Sequence, residues 1–501
     1  MEDSLKKRYI IKLLANIVNG LINIVLVAIV PKALGPVAFG HFSYLQQFFS
    51  QIIAFLDAGT STAFFTKLSA KVDRKELITI YGLFSFLLLI LLILFIYLFD
   101  VFDKVAFIVP DIPPEYIYYG LYFGFFTWFT QIYIKISDAY ALTVSVELIK
   151  ILHKILSLAL LLLFVYYLSF DLTLYFVFHY ISLVSFILII SLLFIKKDIF
   201  NVKVLNLKIA YKKLIKEFYI FSSPIFVFSL VAISISLFDI WLLQKISGSI
   251  QTGFYGLAYS IAAMCFLFTS AMTPIITREF SKSYENKDFD QVKNLFKRYI
   301  PMLYSISAYF GVFIAFQAEN LLLIFTDEKF KDALLVLVVM AFYPIHQTYG
   351  QLSGSLFFAM EKTQLYRNIG IITSLIGLIF SYIFLYLYEY GAIGFAWKMV
   401  LIQIIGVNIQ LYFNAKHLKI DMIPFIKHQI VSILFFCIIA YISTQIVSYN
   451  DSVLIDFLLS GFVYTAIVII VTIFSPHIFS LTKQELKDFF GKIRNKLGLN
   501  K

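Results

Sequence analysis

Long apolar runs, each closed off by polar or charged residues, recur along the chain from Leu13 to Phe474. A helix needs about 20 apolar residues to cross roughly 30 Å of hydrocarbon. Runs of that length fall near 10–30, 39–60, 78–99, 115–137, 147–168, 171–195, 217–245, 252–276, 299–325, 333–358, 367–388, 391–413, 428–448 and 453–474. The pattern therefore predicts about fourteen transmembrane helices in an all-α integral membrane protein. The fifth run is the least regular, because Glu147, Lys150, His153 and Lys154 crowd its first two turns.

Composition agrees: the 501 residues are 61% hydrophobic and 14% charged, against roughly 45–50% and about 25% in an average soluble domain. Lys6, Lys7 and Arg8 could open a signal peptide, but the run continues through Asn16, Asn19 and Asn23 with no small-x-small cleavage site, so a retained first helix is expected. The net charge of +11 does not point to nucleic acid, because the basic residues sit between spans. With the N-terminus placed inside, 35 of the 41 Lys and Arg fall at inside ends and loops. Lys32, Lys104, Lys245, Lys329 and Lys331 fall outside, and Lys398 lies within a span. Basic loops resist translocation, so a multi-pass protein of the bacterial inner membrane with both termini cytoplasmic is expected. The outside loops carry acids instead, among them Asp100, Asp103, Asp111 and Glu115. Cys265 and Cys437 lie in apolar runs and read as small buried hydrophobes.

No outside loop exceeds about 15 residues, too short to fold as a domain, so function is expected among the helices. Lys196 to Glu217 is the longest inside connection, holds seven lysines and follows six spans. It reads as a linker between halves. A repeat supports that division: Gly35-Pro36 with Gly40-His41-Phe42-Ser43-Tyr44 is echoed 213 residues later by Gly248-Ser249 with Gly253-Phe254-Tyr255. Six helices separate the copies, so both halves should share one orientation and be related by an axis along the membrane normal. After Leu481 the tail places Leu486, Phe489, Phe490, Ile493 and Leu497 on one helical face, following Thr482 and Glu485 at capping-box spacing. Its lysines suit an interfacial helix on the lipid bilayer, with a solvated tail as the alternative.

Polar residues inside spans are costly and mark where a wet cavity would lie. Asn16, Asn19 and Asn23 share one face of the first span, and Gln47 and Gln51 form a similar pair in the second. Bonding between helices and contact with a polar substrate are equally good readings of the asparagines. Asp57 sits at the inner end of the second span, as a cap or as a functional acid. Gln131, Lys135 and Asp138 lie on neighbouring turns of the fourth span, and Lys135 and Asp138 are spaced to pair. Lys135, with Lys150 and Lys154, is also placed to meet a phosphate. Lys398 lies about eight residues into the twelfth span, too deep to snorkel easily, and Asp239 in the seventh is a conceivable partner. His346, Gln347 and Gln351 accompany Gly350 and Gly354 in the tenth, where packing competes with a proton relay. Asn16, Asn19, Asn23, Gln47, Gln51, Gln131, Lys135, Lys150, Lys154, Asp239, Gln347 and Lys398 are thus candidates for lining a substrate cavity. Asp57, Asp138, Glu147 and His346 are candidates for ion coupling.

The chain has no HExxH, no GxxxxGK[ST] and no acid pair on a sizeable loop. Transport is therefore expected rather than catalysis, with no catalytic residue, no metal and no cofactor.

Pro31-Lys32-Ala33-Leu34-Gly35-Pro36 with Phe39-Gly40, then Asp57-Ala58-Gly59, resemble the opening of the polysaccharide transporter family, the Wzx-type O-antigen flippases. Ser223-Pro224, Asp239, Gly248, Gly253, Tyr255, Ala258 and Tyr259 fit the same family, as do Glu361-Lys362-Thr363 and Gly391-Ala392-Ile393-Gly394. Ile240 departs from it, since members often carry a basic residue there, which puts a local ion pair in doubt. The resemblance implies two six-helix lobes around a central cavity plus a C-terminal helix pair, within the superfamily of MATE exporters and lipid II flippases. On that pattern the N-terminal lobe is 1–195, the basic cytoplasmic linker 196–216, the C-terminal lobe 217–414, the extra pair 415–474 and the basic amphipathic tail 475–501. It implies flipping of an undecaprenyl-pyrophosphate-linked oligosaccharide, such as an O-antigen unit of lipopolysaccharide, to the outer leaflet by alternating access. A polysaccharide polymerase and chain-length machinery are the implied partners, with no nucleic acid. The alternatives are a MATE-type drug or cation exporter and, more remotely, a membrane polysaccharide polymerase.

Overall fold

The structure, a computed structural model, describes residues 5–57, 59–70, 75–200, 211–266, 269, 272–447 and 452–485. Among these residues there are helices and turns and no strand, as backbone must be in hydrocarbon unless a barrel closes. In chain order the helices are α1 (Leu5–Asp57), α2 (Thr60–Ala70), α3 (Glu76–Val101), α4 (Val105–Ile108), α5 (Tyr116–Ala139), α6 (Thr143–Tyr167), α7 (Leu172–Lys196) and α8 (Tyr211–Ala262). They continue as α9 (Thr273–Glu285), α10 (Phe289–Phe316), α11 (Ala318–Phe325), α12 (Leu334–Met340), α13 (Tyr343–Ala359), α14 (Thr363–Ser381), α15 (Gly391–Leu418), α16 (Ile423–Val447) and α17 (Val453–Phe474).

Eleven described segments are long and apolar enough to cross a membrane. Val18–Asp57 and Ser229–Cys265 each hold two helices joined at a left-handed glycine. Tyr116–Ala139, interrupted by Lys135 and Asp138, adds one more of spanning length, which makes the fourteen that the apolar pattern predicts. Four helical details were not in that pattern. The short α2 and α9 lie in connections between spans, and the ninth and tenth runs are each broken, into α10 with α11 and into α12 with α13.

The chain forms two compact units, the first of residues 1–256 with 381–392 and the second of 257–380 with 393–501. The linker expected at 196–216 lies inside the first unit, and 201–210 is outside the described residues.

In the first unit, α2 turns Phe64 and Leu68 onto Tyr81, Ile132, Tyr133 and Ile136 of α3 and α5, with Phe186, Ile190 and Phe194 of α7 completing the cluster. In the second, Phe280, Phe296, Tyr304, Tyr349 and Phe436 are fully or almost fully buried in one core. Lipid is as apolar as leucine, so contacts between spans rest on close packing and hydrogen bonds rather than on escape from water. Tyr464 Oη donates to the Tyr309 carbonyl at 2.9 Å, and Tyr309 and Thr465 hydroxyls meet at 2.6 Å, tying α17 to α10.

The two repeated turns have the same backbone. Gly35 stands at φ 75°, ψ 171° and Gly248 at φ 75°, ψ −178°, a left-handed conformation open to glycine and strained for other residues. The copies also touch. A Cβ on Gly40 would stand 3.0 Å from the Gly253 nitrogen, and one on Gly253 would stand 3.2 Å from the Gly40 nitrogen. A Cβ on Gly40 would strike the Ser249 carbonyl, and one on Gly253 would strike the Pro36 carbonyl. Ser249 is the counterpart of Pro36, so the contact is reciprocal, the signature of a two-fold relation. Gly256 and its counterpart Ser43 also face each other there.

The capping box expected at the tail is formed: Thr482 N donates to Glu485 Oε2 at 2.9 Å, and Glu485 N to Thr482 Oγ1 at 3.2 Å. The Thr482 amide, with its hydroxyl and nearby Arg298, holds the Glu485 carboxyl below its usual range. Arg298 Nη2 lies 2.6 Å from Glu485 Oε1. The amphipathic face from Leu486 to Leu497 lies outside the described residues.

Candidate functional site

The polar residues within the spans of the first unit gather in two groups and one pair. The first group begins where the second span ends. Gly59, at φ 78°, lets the chain turn into α2, and Asp57 folds over the new helix start. Its Oδ1 accepts from Ser61 N at 3.0 Å, Thr60 Oγ1 at 2.9 Å and Tyr81 Oη at 2.8 Å, and its Oδ2 from Ser61 Oγ at 2.7 Å. A carboxylate at a helix start satisfies amides that have no partner within the helix and opposes the positive end of the dipole. Lys135 Nζ donates to Ser61 Oγ at 2.7 Å. The one Ser61 hydroxyl therefore accepts from the ammonium and donates to the carboxylate. The expected spacing of Lys135 with Asp138 is put to another use: Asp138 Oδ1 accepts from Thr143 Oγ1 at 2.8 Å across the turn into α6.

The second group joins α1 to α6. Lys154 Nζ donates to Asn23 Oδ1 at 2.7 Å in an exposed setting. One helical turn earlier, Lys150 Nζ stands 3.5 Å from Glu147 Oε2, and Glu147 is buried. That oxygen accepts no hydrogen bond among the described residues, nor does Oδ1 of buried Asn19. Glu147 Oε2 is met by the Lys150 charge alone, whereas Asn19 Oδ1 has no polar partner among the described residues, and an unmet polar atom away from water costs roughly 1–3 kcal/mol. His153 instead meets Ser185 at 2.9 Å and belongs to the packing of α6 on α7. The pair is Asp239 with Ser381, whose Oγ donates to Asp239 Oδ1 at 2.6 Å. Ser381 opens a π-helical stretch, Tyr382–Leu387, a feature common at functional places in helices.

Among the other candidates, Gln47 and Gln51 are half-buried and Gln131 is exposed, while nothing is described of the Asn16 side chain. In the second unit His346 is buried, edge-on to Tyr304 with ring centres 5.7 Å apart, and its Nδ1 is unpaired among the described residues. Gln347 is half-buried. Gly350 and Gly354 pack on different neighbours, Val407 and Tyr366. Lys398 is buried at 6% exposure, with its ammonium 5.3 Å from the centre of the Phe395 ring and its stem against Gly377.

Sequence reasoning did not single out Thr60, Ser61, Tyr81, Thr143 or Ser381. The first two had a signal, because Asp57-Ala58-Gly59-Thr60-Ser61 is an acid followed by a glycine turn and a helix start. Tyr81 and Ser381 reach Asp57 and Asp239 from distant helices and carry no local mark.

The helices, their glycine breaks and the intramembrane polar residues define a multi-pass membrane protein with a fold that flippases and exporters share. The inward closed lipid II flippase MurJ matches with a TM-score of 0.67 at 16% identity, over 94% of this chain and 99% of that one. An inward-facing multidrug resistance MATE transporter of the MOP superfamily matches with a TM-score of 0.62 at 16% identity, over 81% and 95%. A MOP superfamily transporter from Pyrococcus furiosus, described as having a binding pocket of reverse polarity, matches at 0.57 and 18% identity, over 82% and 95%. No curated protein matches the sequence. The family described as "Polysaccharide biosynthesis protein" matches residues 5–277, more than half of the chain, and the chain belongs to that family.

Proposed function

We propose that the protein flips an undecaprenyl-pyrophosphate-linked oligosaccharide across the bacterial inner membrane, cytoplasmic to outer leaflet, for surface polysaccharide synthesis. Its lobes would be 1–195 and 217–414, joined by 196–216, with 415–474 as an added helix pair, 475–501 as a basic tail and both termini in the cytoplasm. The observation that carries the reading is Lys154: a cation within a span whose hydrogen bond goes to the neutral amide of Asn23. Its charge remains available to an anion, as a pyrophosphate requires and a cationic drug would not. Lys150 lies one turn earlier on α6 and Lys135 near the end of α5, and family membership supplies the polysaccharide context.

The physical task is to carry a charged, hydroxyl-rich head past hydrocarbon while the polyprenyl chain stays in lipid. Each desolvated polar group costs roughly 1–3 kcal/mol unless a protein group replaces its water. Asn19, Asn23 and Glu147 offer acceptors to sugar hydroxyls, and the lysines offer donors to phosphate. No bond need be made or broken. A MATE-type exporter is the second reading, favoured by the buried carboxylates Asp57, Glu147 and Asp239 and by the exporter fold. A polymerase or chain-length protein would act beside a flippase. Depletion in cells tests the choice: the account expects lipid-linked glycan to accumulate and surface polysaccharide to fall. Normal surface glycan with altered drug efflux would select the exporter.

A further inference from the structure

The loop between α3 and α5 lies across the paired turns, and its contacts with them are lopsided. From α8, Trp241 Nε1 donates to the Phe107 carbonyl at 2.6 Å and Gln244 Nε2 to the Pro110 carbonyl at 2.9 Å. Ser249 N donates to Asp111 Oδ2 at 2.9 Å, and Ser249 Oγ to the Asp111 carbonyl at 3.1 Å. Gln244 Nε2 also reaches Ser249 Oγ at 2.8 Å, and the Phe107 and Trp241 rings pack at 5.4 Å. From α1, Tyr44 Oη donates to the Ile108 carbonyl and the His41 ring lies beside the Asp111 backbone and carboxylate, so α1 holds the loop as well, with fewer bonds than the four from α8. The loop thus holds both members of the reciprocal α1–α8 contact.

The repeat itself does not call for these bonds. At the offset of 213 residues that matches the two turns, the counterparts of Trp241, Gln244 and Ser249 are Ala28, Pro31 and Pro36. None carries a side-chain donor, and proline lacks even the amide N–H. Gly35 and Gly248 share one backbone conformation, so the turn forms equally well without the donors. Their presence on one copy alone adds a tie that the turn's geometry does not need.

We propose that Val105–Asp111 is a one-sided latch that holds this end of the α1–α8 contact shut, and that opening at this end requires its four hydrogen bonds from α8 to break. Gly40, Ser43, Gly253 and Gly256 supply the surface that parts, because the helices there touch at backbone distance. Asp111 is exposed to solvent, so the latch is reached without entering the contact it closes. The proposal concerns opening and does not depend on what is carried.

The full-length protein in nanodiscs, with Cys265→Ala and Cys437→Ala, tests it through the labelling rate of Ser43→Cys by a maleimide. Ser43 is 5% exposed and faces Gly256, so it reacts only when this end opens. Ser249→Pro gives the second turn the Gly-Pro sequence of the first, removes both Ser249 bonds to Asp111 and suits the backbone that Gly35-Pro36 adopts. With two hydrogen bonds lost, it should label about ten-fold faster or more; Asp111→Ala, which removes only the side-chain acceptor of the Ser249 amide and keeps the carbonyl that Ser249 Oγ reaches, should be faster than the parent by a smaller factor. Asp103→Asn, in the same loop connection, should label at the parental rate. Parental rates in both latch variants, with melting unchanged, would overturn the latch. So would fast labelling in the parent, or equal acceleration by Asp103→Asn.

Discussion

Gly40 and Gly253 meet at each other's backbone, each leaving no room for a side-chain carbon on the other. They are counterparts in the repeat, so one steric demand appears twice.

Gly40→Ala and Gly253→Ala should therefore each lower the melting temperature, and by similar amounts. Overpacking of this kind typically costs about 1–3 kcal/mol. Gly82→Ala is the control, since a Cβ there meets nothing within 4 Å, and it should be neutral or slightly stabilising. Thermal unfolding in detergent reads all three, and a neutral Gly40→Ala would show that the helices are not this close.

Asp57 should be structural as well as electrostatic. Asp57→Ala removes the cap of α2 and should cost about 0.5–2 kcal/mol, with faster amide exchange at Ser61. Tyr81→Phe keeps the cap and removes one donor, so its effect should be smaller. If Lys135 serves a phosphate, Lys135→Met should reduce transport well below the parental rate while leaving melting nearly unchanged. Equal loss of melting and transport would make Lys135 a packing residue.

Lys398 is buried in a span beside Phe395 and Gly377. Lys398→Glu should abolish transport and Lys398→Arg should retain part of it. Full transport and expression in Lys398→Leu would remove the residue from the mechanism.

Orientation is tested by single cysteines in cells treated with an impermeant thiol reagent. Asp103→Cys and Glu328→Cys, both exposed, should react, and exposed Asn286→Cys should not. The reverse pattern would invert the topology.

The fourteen helices were legible because hydrocarbon imposes a fixed length of apolar chain, and the repeat because glycine alone tolerates the conformation of Gly35 and Gly248. The short α2 and α9 escaped that pattern, being too short to span. The intramembrane charges were legible as a set, since each is costly, but not their partners. Spacing suggested Lys135 with Asp138, yet three-dimensional packing brings Ser61 to Lys135 and Thr143 to Asp138. Likewise Asp239 meets Ser381 from 142 residues away, a relation of tertiary packing that no local motif announces.

The most direct test reconstitutes the purified protein in vesicles loaded with an undecaprenyl-pyrophosphate-linked oligosaccharide and follows exposure of the glycan to an added glycosidase or lectin. The account predicts that protein-containing vesicles expose glycan beyond the fraction seen in empty ones, with the pyrophosphate linkage intact, and that Lys154→Met slows this exposure markedly. Exposure no greater than in empty vesicles, from protein that is folded and inserted, would contradict it.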